Sequence, residues 1–481
     1  MDQRIGRGII AIGLAQIILV SCNWGIHIGL ARLWGPELYG MFAVIISILV
    51  WFEILANSGI PATVKKFIAE NEEHASSIMN VAIRMEMILT VAICLIIFVT
   101  APLIASLLND KRLTFYLRLA AVDVPFMAYY MLFHNTLGGL RHFVRNAIAI
   151  AVYGISRIGS ILLLVLMGFS LNGALIGNII ASIVALFVAK YLVGIKQKAA
   201  KYDWKKVVKF ATPYTLYCFV YHFLMCLDLL LVKALIQEPA QSGFYASATS
   251  FARVPYFVFY SLTITLLPCL SNSISQGDRE STKRYINQAL RFLLILLIPG
   301  IMLITATSGE LISLVYSSTY LAAGSILSIL IFGAGFLCCF LTLNTILVAN
   351  NELKKVLLIS ILLVPIDLIL NWKLIPLYGT QGAAIATTLT MLLGCCFSAI
   401  FVFRRFGTLI ALPSFLKVVV ASLIISLLCR VFYTAGPLLL LKYSILYVVY
   451  FLLLYVSREI RKDDLKKIQG YLCVNSFRRQ R

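Results

Sequence analysis

Apolar runs of about twenty residues return along almost the whole 481-residue chain, each long enough to cross about 30 Å of hydrocarbon as a helix. Lipid leaves no place for an open sheet or exposed coil, so the runs predict helices. They fall at residues 8–31, 39–60, 81–104, 114–140, 147–169, 172–193, 210–232, 244–270, 287–308, 323–349, 355–375, 380–403, 414–434 and 437–457. The expected fold is therefore all-α and membrane-integral, with about fourteen transmembrane helices. Composition agrees: 61% of residues are hydrophobic and 13% charged, against roughly 45–50% and about 25% in soluble domains.

A net charge of +21 would suit nucleic acid, but the basic residues cluster in short segments between apolar runs, not along one amphipathic face. They read as topology signals, and no nucleic-acid partner is expected. With a cytoplasmic N-terminus, about 31 of the 41 Lys and Arg fall on the cytoplasmic side. Both termini are thus expected in the cytoplasm. The most basic connection, KYLVGIKQKAAKYDWKKVVK at 190–209, is the expected tether between two halves and would rest on anionic lipid. Arg4 and Arg7 precede an apolar run too long for a cleaved leader, so that run is expected to stay as the first span. The eleven cysteines are scattered with no Cys-x-x-Cys pair and serve as small apolar groups, and no metal or cofactor is implied.

The chain repeats itself. ARLWGPELYGMFAVI at 31–45 returns in fainter form as IQEPAQSGFYASAT at 236–249, with Gly40 over Gly243. NVAIR at 80–84 then falls on NQALR at 287–291, and NGALIG at 172–177 on QGAAIA at 381–386. The order of features holds while the offset drifts slowly, so the first six spans are duplicated by the next six. An even number of spans per copy keeps both copies in one orientation, as in transporters built from parallel repeats. The expected organisation is a first six-helix lobe at 1–193, a linker at 194–209 and a second lobe at 210–403. An additional helix pair at 414–457 and a basic tail at 458–481 complete it. Gly and Pro in the repeated segment would close the external turn between the first two helices of each lobe.

ARLWGPELYGMFAVIISIL, followed by ANSGIPATVKKFIAE at 56–70, resembles the opening of the polysaccharide biosynthesis, or O-antigen flippase (Wzx-like), family. That family belongs to the multidrug/oligosaccharidyl-lipid/polysaccharide exporter superfamily. The resemblance implies two lobes around a central cavity and alternating access across the bacterial inner membrane. The cargo it implies is a polyprenyl-diphosphate-linked oligosaccharide, the repeat unit of O-antigen (lipopolysaccharide), capsule or exopolysaccharide. Membrane lipids, a glycan polymerase and glycosyltransferases are the partners that follow, and spans thirteen and fourteen would hold the lipid tail.

A charge at mid-membrane costs roughly 2.5–3.5 kcal/mol on insertion scales, so each one in a span marks a partner or a wet cavity. Glu53 and Asn57 share a face of the second span, as Gln16, Asn23 and His27 do in the first. In span seven Tyr214, Tyr217, Tyr221 and Asp228 form one polar-aromatic stripe suited to sugar rings, with His222 beside it. Arg253 lies in FARVPYFVF before Pro255, read as a proline within the eighth helix, and a guanidinium is the shape that grips a phosphate in two prongs. Arg253 is the first candidate for the diphosphate; pairing with Asp228 is its structural alternative. Asp123 and Arg157 come out at similar depth and predict an ion pair inside the first lobe. Asp367, with Pro365 and Asn371 beside it, is a candidate ion-coupling site, and His134 is expected to pack as a hydrogen-bonding group. Lys65, Lys66, Arg84 and its repeat mate Arg291 would collect a diphosphate at the cytoplasmic mouth.

No Gly-x-x-x-x-Gly-Lys-Ser/Thr loop occurs, so the drive would come from an ion, potential or substrate gradient. Two other classes fit the same chain: a cation or drug antiporter of the superfamily, and a membrane glycan polymerase or ligase. External connections of about eleven to fourteen residues, at 233–243 and 309–322, leave little room for a catalytic site, so a non-enzyme is expected.

Overall fold

Residues 2–194, 202–431 and 436–459, described in a computed structural model, are almost wholly helical, with no strand among them. The expectations for the centre of the basic linker and for the tail concern residues 195–201 and 460–481, which lie outside the described residues. Eight helical stretches among the described residues are long and apolar enough to cross a bilayer.

Helix α1 runs over Asp2–Asn57. At 1.5 Å per residue a straight helix of 56 residues would reach about 84 Å, far more than one bilayer. It breaks at Gly35, whose φ of 72° and ψ of −178° suit only glycine, and Pro36 opens the second arm. Past a bend at Ser58 the arm continues as α2 (Gly59–Glu70), and α3 (Ala75–Leu107) follows. The single span expected over 114–140 is instead two helices, α4 (Leu113–Ala121) and α5 (Asp123–Gly139), which puts Asp123 in a first turn. Helices α6 (Phe143–Leu164) and α7 (Ser170–Val193) are joined through a π turn that bends at Gly168.

Next come α8 (Trp204–Leu235), whose N-terminus Asp203 caps, and α9 (Pro239–Ala252). Pro255 does not interrupt a helix. The chain turns at Arg253, and Pro255 sits in the first turn of α10 (Val254–Ser275), where its missing N–H has no bond to lose. Helices α11 (Arg279–Ala306), α12 (Ser308–Val315) and α13 (Ala323–Ala349) lead to α14 (Leu353–Phe406), which breaks at Gly379 as α1 does at Gly35. Helices α15 (Leu412–Val431) and α16 (Leu438–Val456) close the described chain.

Two compact units result. The first comprises Met1–Ser247 with Asp367–Ala383, the second Ala248–Ile366 with Ala384–Arg481. Packing and duplication thus have different boundaries: the repeat restarts near residue 210, yet α8 packs on α1 and α2 in the first unit. The core of that unit joins Val64 and Ile68 of α2, Ala82 of α3, Leu132 and Leu137 of α5, and Ala185 of α7. The repeated turn segments meet there too. A Cβ on Gly40 would stand 2.5 Å from the Gly243 nitrogen, and one on Gly243 would collide with the Pro36 carbonyl, so both positions require the smallest residue.

In the second unit α15 and α16 dock on α11. Ile295 and Leu303 are buried with Val418, Ile425, Leu446 and Leu454, and the Tyr450 hydroxyl donates to the Ile295 carbonyl at 2.8 Å.

Candidate functional site

Several polar groups of the first unit gather around Arg157. This residue of α6 is half-buried, and a guanidinium at that depth needs partners on several sides. Its Nε donates to Asn178 Oδ1 at 2.6 Å and one Nη to Asn23 Oδ1 at 2.7 Å, while the Tyr153 ring centroid lies 5.9 Å from its carbon. Asn178 in turn donates from Nδ2 to Asp123 Oδ2 at 2.5 Å. The direct Asp123–Arg157 pair is therefore replaced by a relay. A neutral amide offers an acceptor to the cation and a donor to the carboxylate, so one Asn links charges that do not touch. Glu53 lies within electrostatic reach of both Asp123 and Arg157. Two of the five guanidinium donors are held, which fixes its plane, and the rest take no protein partner among the described residues.

The other expected stripes separate. Asn23 joins the network, but Gln16 is exposed and the His27 ring meets the Tyr39 hydroxyl at 3.1 Å across the Gly35 break. Asn57 keeps a buried Oδ1 with no hydrogen-bond partner among the described residues. On α8, Tyr214 is exposed, Tyr221 stands edge-on to His222 at 5.3 Å, and the Tyr217 side chain lies outside the described residues. Asp228 is buried and accepts the Tyr245 hydroxyl at 2.7 Å and the Leu229 amide at 2.8 Å. It thereby ties α8 to α9. Arg253 is half-buried at the α9–α10 turn in the second unit. Asp367 and Asn371 are both buried, the Asn371 amide donating to the Asp367 carbonyl at 2.9 Å. His134 stacks on Tyr130 with centroids 5.9 Å apart.

The four cations of the expected mouth differ in use. Lys66 lies 4.2 Å over the Phe210 ring and 3.9 Å from Glu70, and the Lys65 stem crosses Gly138. Arg84 is exposed on α3. Arg291, expected to face a ligand, is committed to Glu459: its Nε reaches Oε1 at 2.9 Å and an Nη donates to the Glu459 carbonyl. The reason is the helix pair outside the repeat, which brings Glu459 to α11 and nothing comparable to α3.

Three groups escaped the sequence reading. Asn178 is one, visible only as a polar residue within an apolar run. Glu86 on α3 is fully buried, and neither carboxylate oxygen has a hydrogen-bond partner among the described residues. Asp110, after α3, receives Lys233 at 3.1 Å and Arg112 at 3.0 Å. Burial works against its charge, yet those hydrogen bonds and the two cations together hold its carboxyl below the ordinary value. Among the described residues no cluster of His, Cys, Asp or Glu is placed to hold a metal ion.

A family model described as polysaccharide biosynthesis protein matches residues 29–325, more than half of the chain. The chain belongs to that family. The protein is similar to stage V sporulation protein B of Bacillus subtilis (strain 168), 23% identical over 504 aligned residues that cover 96% of each chain. The lipid II flippase MurJ of the same organism is 27% identical over 157 residues, 32% of this chain and 29% of that one. In three dimensions this polysaccharide biosynthesis family member superposes on an inward closed MurJ with a TM-score of 0.79 at 19% identity, covering 93% of this chain and 98% of that one. An inward-facing multidrug-resistance transporter of the MATE family gives 0.71 at 14% identity over 83% of this chain and 98% of that one. The chain thus shares its fold with that flippase and that transporter.

Proposed function

We propose that the protein is a flippase that carries a polyprenyl-diphosphate-linked oligosaccharide across the bacterial cytoplasmic membrane by alternating access, with both termini in the cytoplasm. The observation that carries this reading is Arg157, a half-buried cation whose fork is held in plane by Asn23 and Asn178 while other donors stay open. A diphosphate offers paired oxygens to such a fork. Glu53 and Asp123 act as counter-charges when the cargo is absent, so the empty site does not leave a bare cation in lipid. Arg253, in the second unit, is a separate candidate for the diphosphate. Asp367, buried beside Asn371, is the carboxylate assigned to ion coupling.

Proteoliposomes loaded with a fluorescent lipid-linked oligosaccharide test the reading. Arg157→Gln and Arg253→Ala are each expected to cut translocation per molecule of protein at least about tenfold, roughly the 1.5–3 kcal/mol of a charge-assisted contact. Arg253→Lys keeps part of the rate. Efflux of a cationic dye with no glycolipid transfer would instead make the protein an antiporter, for which Glu53 and Asp123 are the fitting carboxylates. Turnover of the lipid-linked sugar would make it an enzyme.

A further inference from the structure

We propose that an open groove between α2, α3 and α8 of the first unit docks the polyprenyl chain of the cargo, with Arg84, Lys66 and Lys205 at its rim for the diphosphate. The proposal rests on the lipid-linked cargo named above and specifies where its lipid part sits. The groove has a volume of about 700 Å³ and is walled by Ile60, Ile88, Leu89, Trp204, Thr212 and Phe219 among others. It opens sideways, since Ile88 is 71% and Leu216 56% exposed. On α8 it extends from Trp204 to Phe219, about 22 Å at 1.5 Å per residue. Its α8 wall begins before the span expected at 210–232 and ends short of that span's middle, so the groove follows the cytoplasmic half of the hydrocarbon, the side from which the cargo enters.

The second half of the molecule shows what this surface of the repeat accepts. Arg84 and Ile88 correspond to Arg291 and Ile295 at the offset of 207 that aligns NVAIR with NQALR. There, Arg291 holds the Glu459 carboxylate and Ile295 is buried against the apolar rods α15 and α16. An anion at the arginine and a long apolar body beside the isoleucine is the chemistry of an anionic head on an isoprenoid tail. In the first half no described helix takes that place. Arg84 lies one turn from Ile88 on the same face of α3, Lys205 is in the first turn of α8, and Lys66 is held over Phe210. Glu70 and Asp203 are the acidic neighbours of this rim, the first beside Lys66 and the second capping α8.

The test uses the full chain in vesicles containing phosphatidylglycerol and a polyprenyl diphosphate with a photoreactive group in its chain. Label is expected in peptides of α3 and α8 of the wild type. It should fall about tenfold in Thr212→Trp, which fills the groove, and several-fold in Arg84→Gln. Unlabelled polyprenyl diphosphate should displace it, and more phosphatidylglycerol should not. Label in α15 and α16 or elsewhere in the wild type overturns the proposal, as does equal displacement by phosphatidylglycerol, which marks an ordinary lipid annulus. The wild-type map decides even if a variant fails to fold. Glycolipid translocation is read in the same vesicles: groove labelling without translocation sinks the flippase reading alone, and translocation with label elsewhere sinks the groove alone.

Discussion

Helices α3 and α11 begin as copies of one sequence and end in opposite surroundings. Along α3 a run of large apolar side chains from Met87 to Leu107 faces outward, Val99 at 76% exposure, while on α11 Leu293, Leu297 and Leu303 are buried and α15 and α16 lie alongside. The arginine near the start of each helix follows suit, exposed at Arg84 and bound to Glu459 at Arg291. A duplicated element is thus specified by its neighbours as much as by its own residues. The helix pair α15 and α16 makes this face of α11 a structural joint, whereas the matching face of α3 stays exposed.

The largest effect is expected where that joint is cut. Arg291→Ala leaves the buried Glu459 carboxylate with only Ser414 and, at 3.7 Å, Lys417, and should cost about 3 kcal/mol, read as a lowered melting temperature and loss of protein from the membrane. Arg84→Ala should change stability by no more than about 0.5 kcal/mol. Equal melting of the two variants would break the comparison.

Next in size is the place where the two copies touch. Gly40→Ala and Gly243→Ala each force a methyl into backbone and should destabilise by about 1–3 kcal/mol, whereas Gly13→Ala, with open space around it, should not. Non-additive losses in the double variant would sharpen the picture of one shared crossing; additive ones would argue that the turns act separately.

The smallest effect lies at the far end of α3. There Asp110 takes Lys233 of α8, whereas the end of α11 is tied by Thr307 to the Tyr443 hydroxyl of α16. The Asp110 carboxyl is held below its ordinary value of 3.8 in the folded protein, so its stabilisation is complete above that value and disappears as pH falls through the lower folded one. Asp110→Asn should therefore lower stability by up to about 1 kcal/mol at neutral pH and converge with the wild type in acid. Thr307→Val should show no such pH dependence. A constant difference between Asp110→Asn and wild type down to pH 2 would remove the pair from the account.

Much of this arrangement was legible from particular residues. Gly35 with Pro36 marked a break between two spans, and the matched NVAIR and NQALR segments pointed to α3 and α11 as counterparts. The relay through Asn178 was not legible. Counting along spans places Asp123 and Arg157 at one depth, but depth says nothing of direction around each helix axis, and a third residue can stand between. The setting of Arg253 was misread, because a proline two residues into a new helix and one within a long helix look alike in sequence. Glu86 left no mark beyond being a carboxylate in an apolar run.

By itself the sequence determined that the chain lives in lipid as helices, that it was doubled, and roughly where each helix ends, because hydrophobic length and glycine or proline stereochemistry act within a few neighbouring residues. Only the tertiary structure decided which of two matching arginines is open, which pair of glycines touches, and that α8 packs with the first unit. Those outcomes depend on contacts between residues a hundred or more positions apart, and no local pattern encodes which partner arrives.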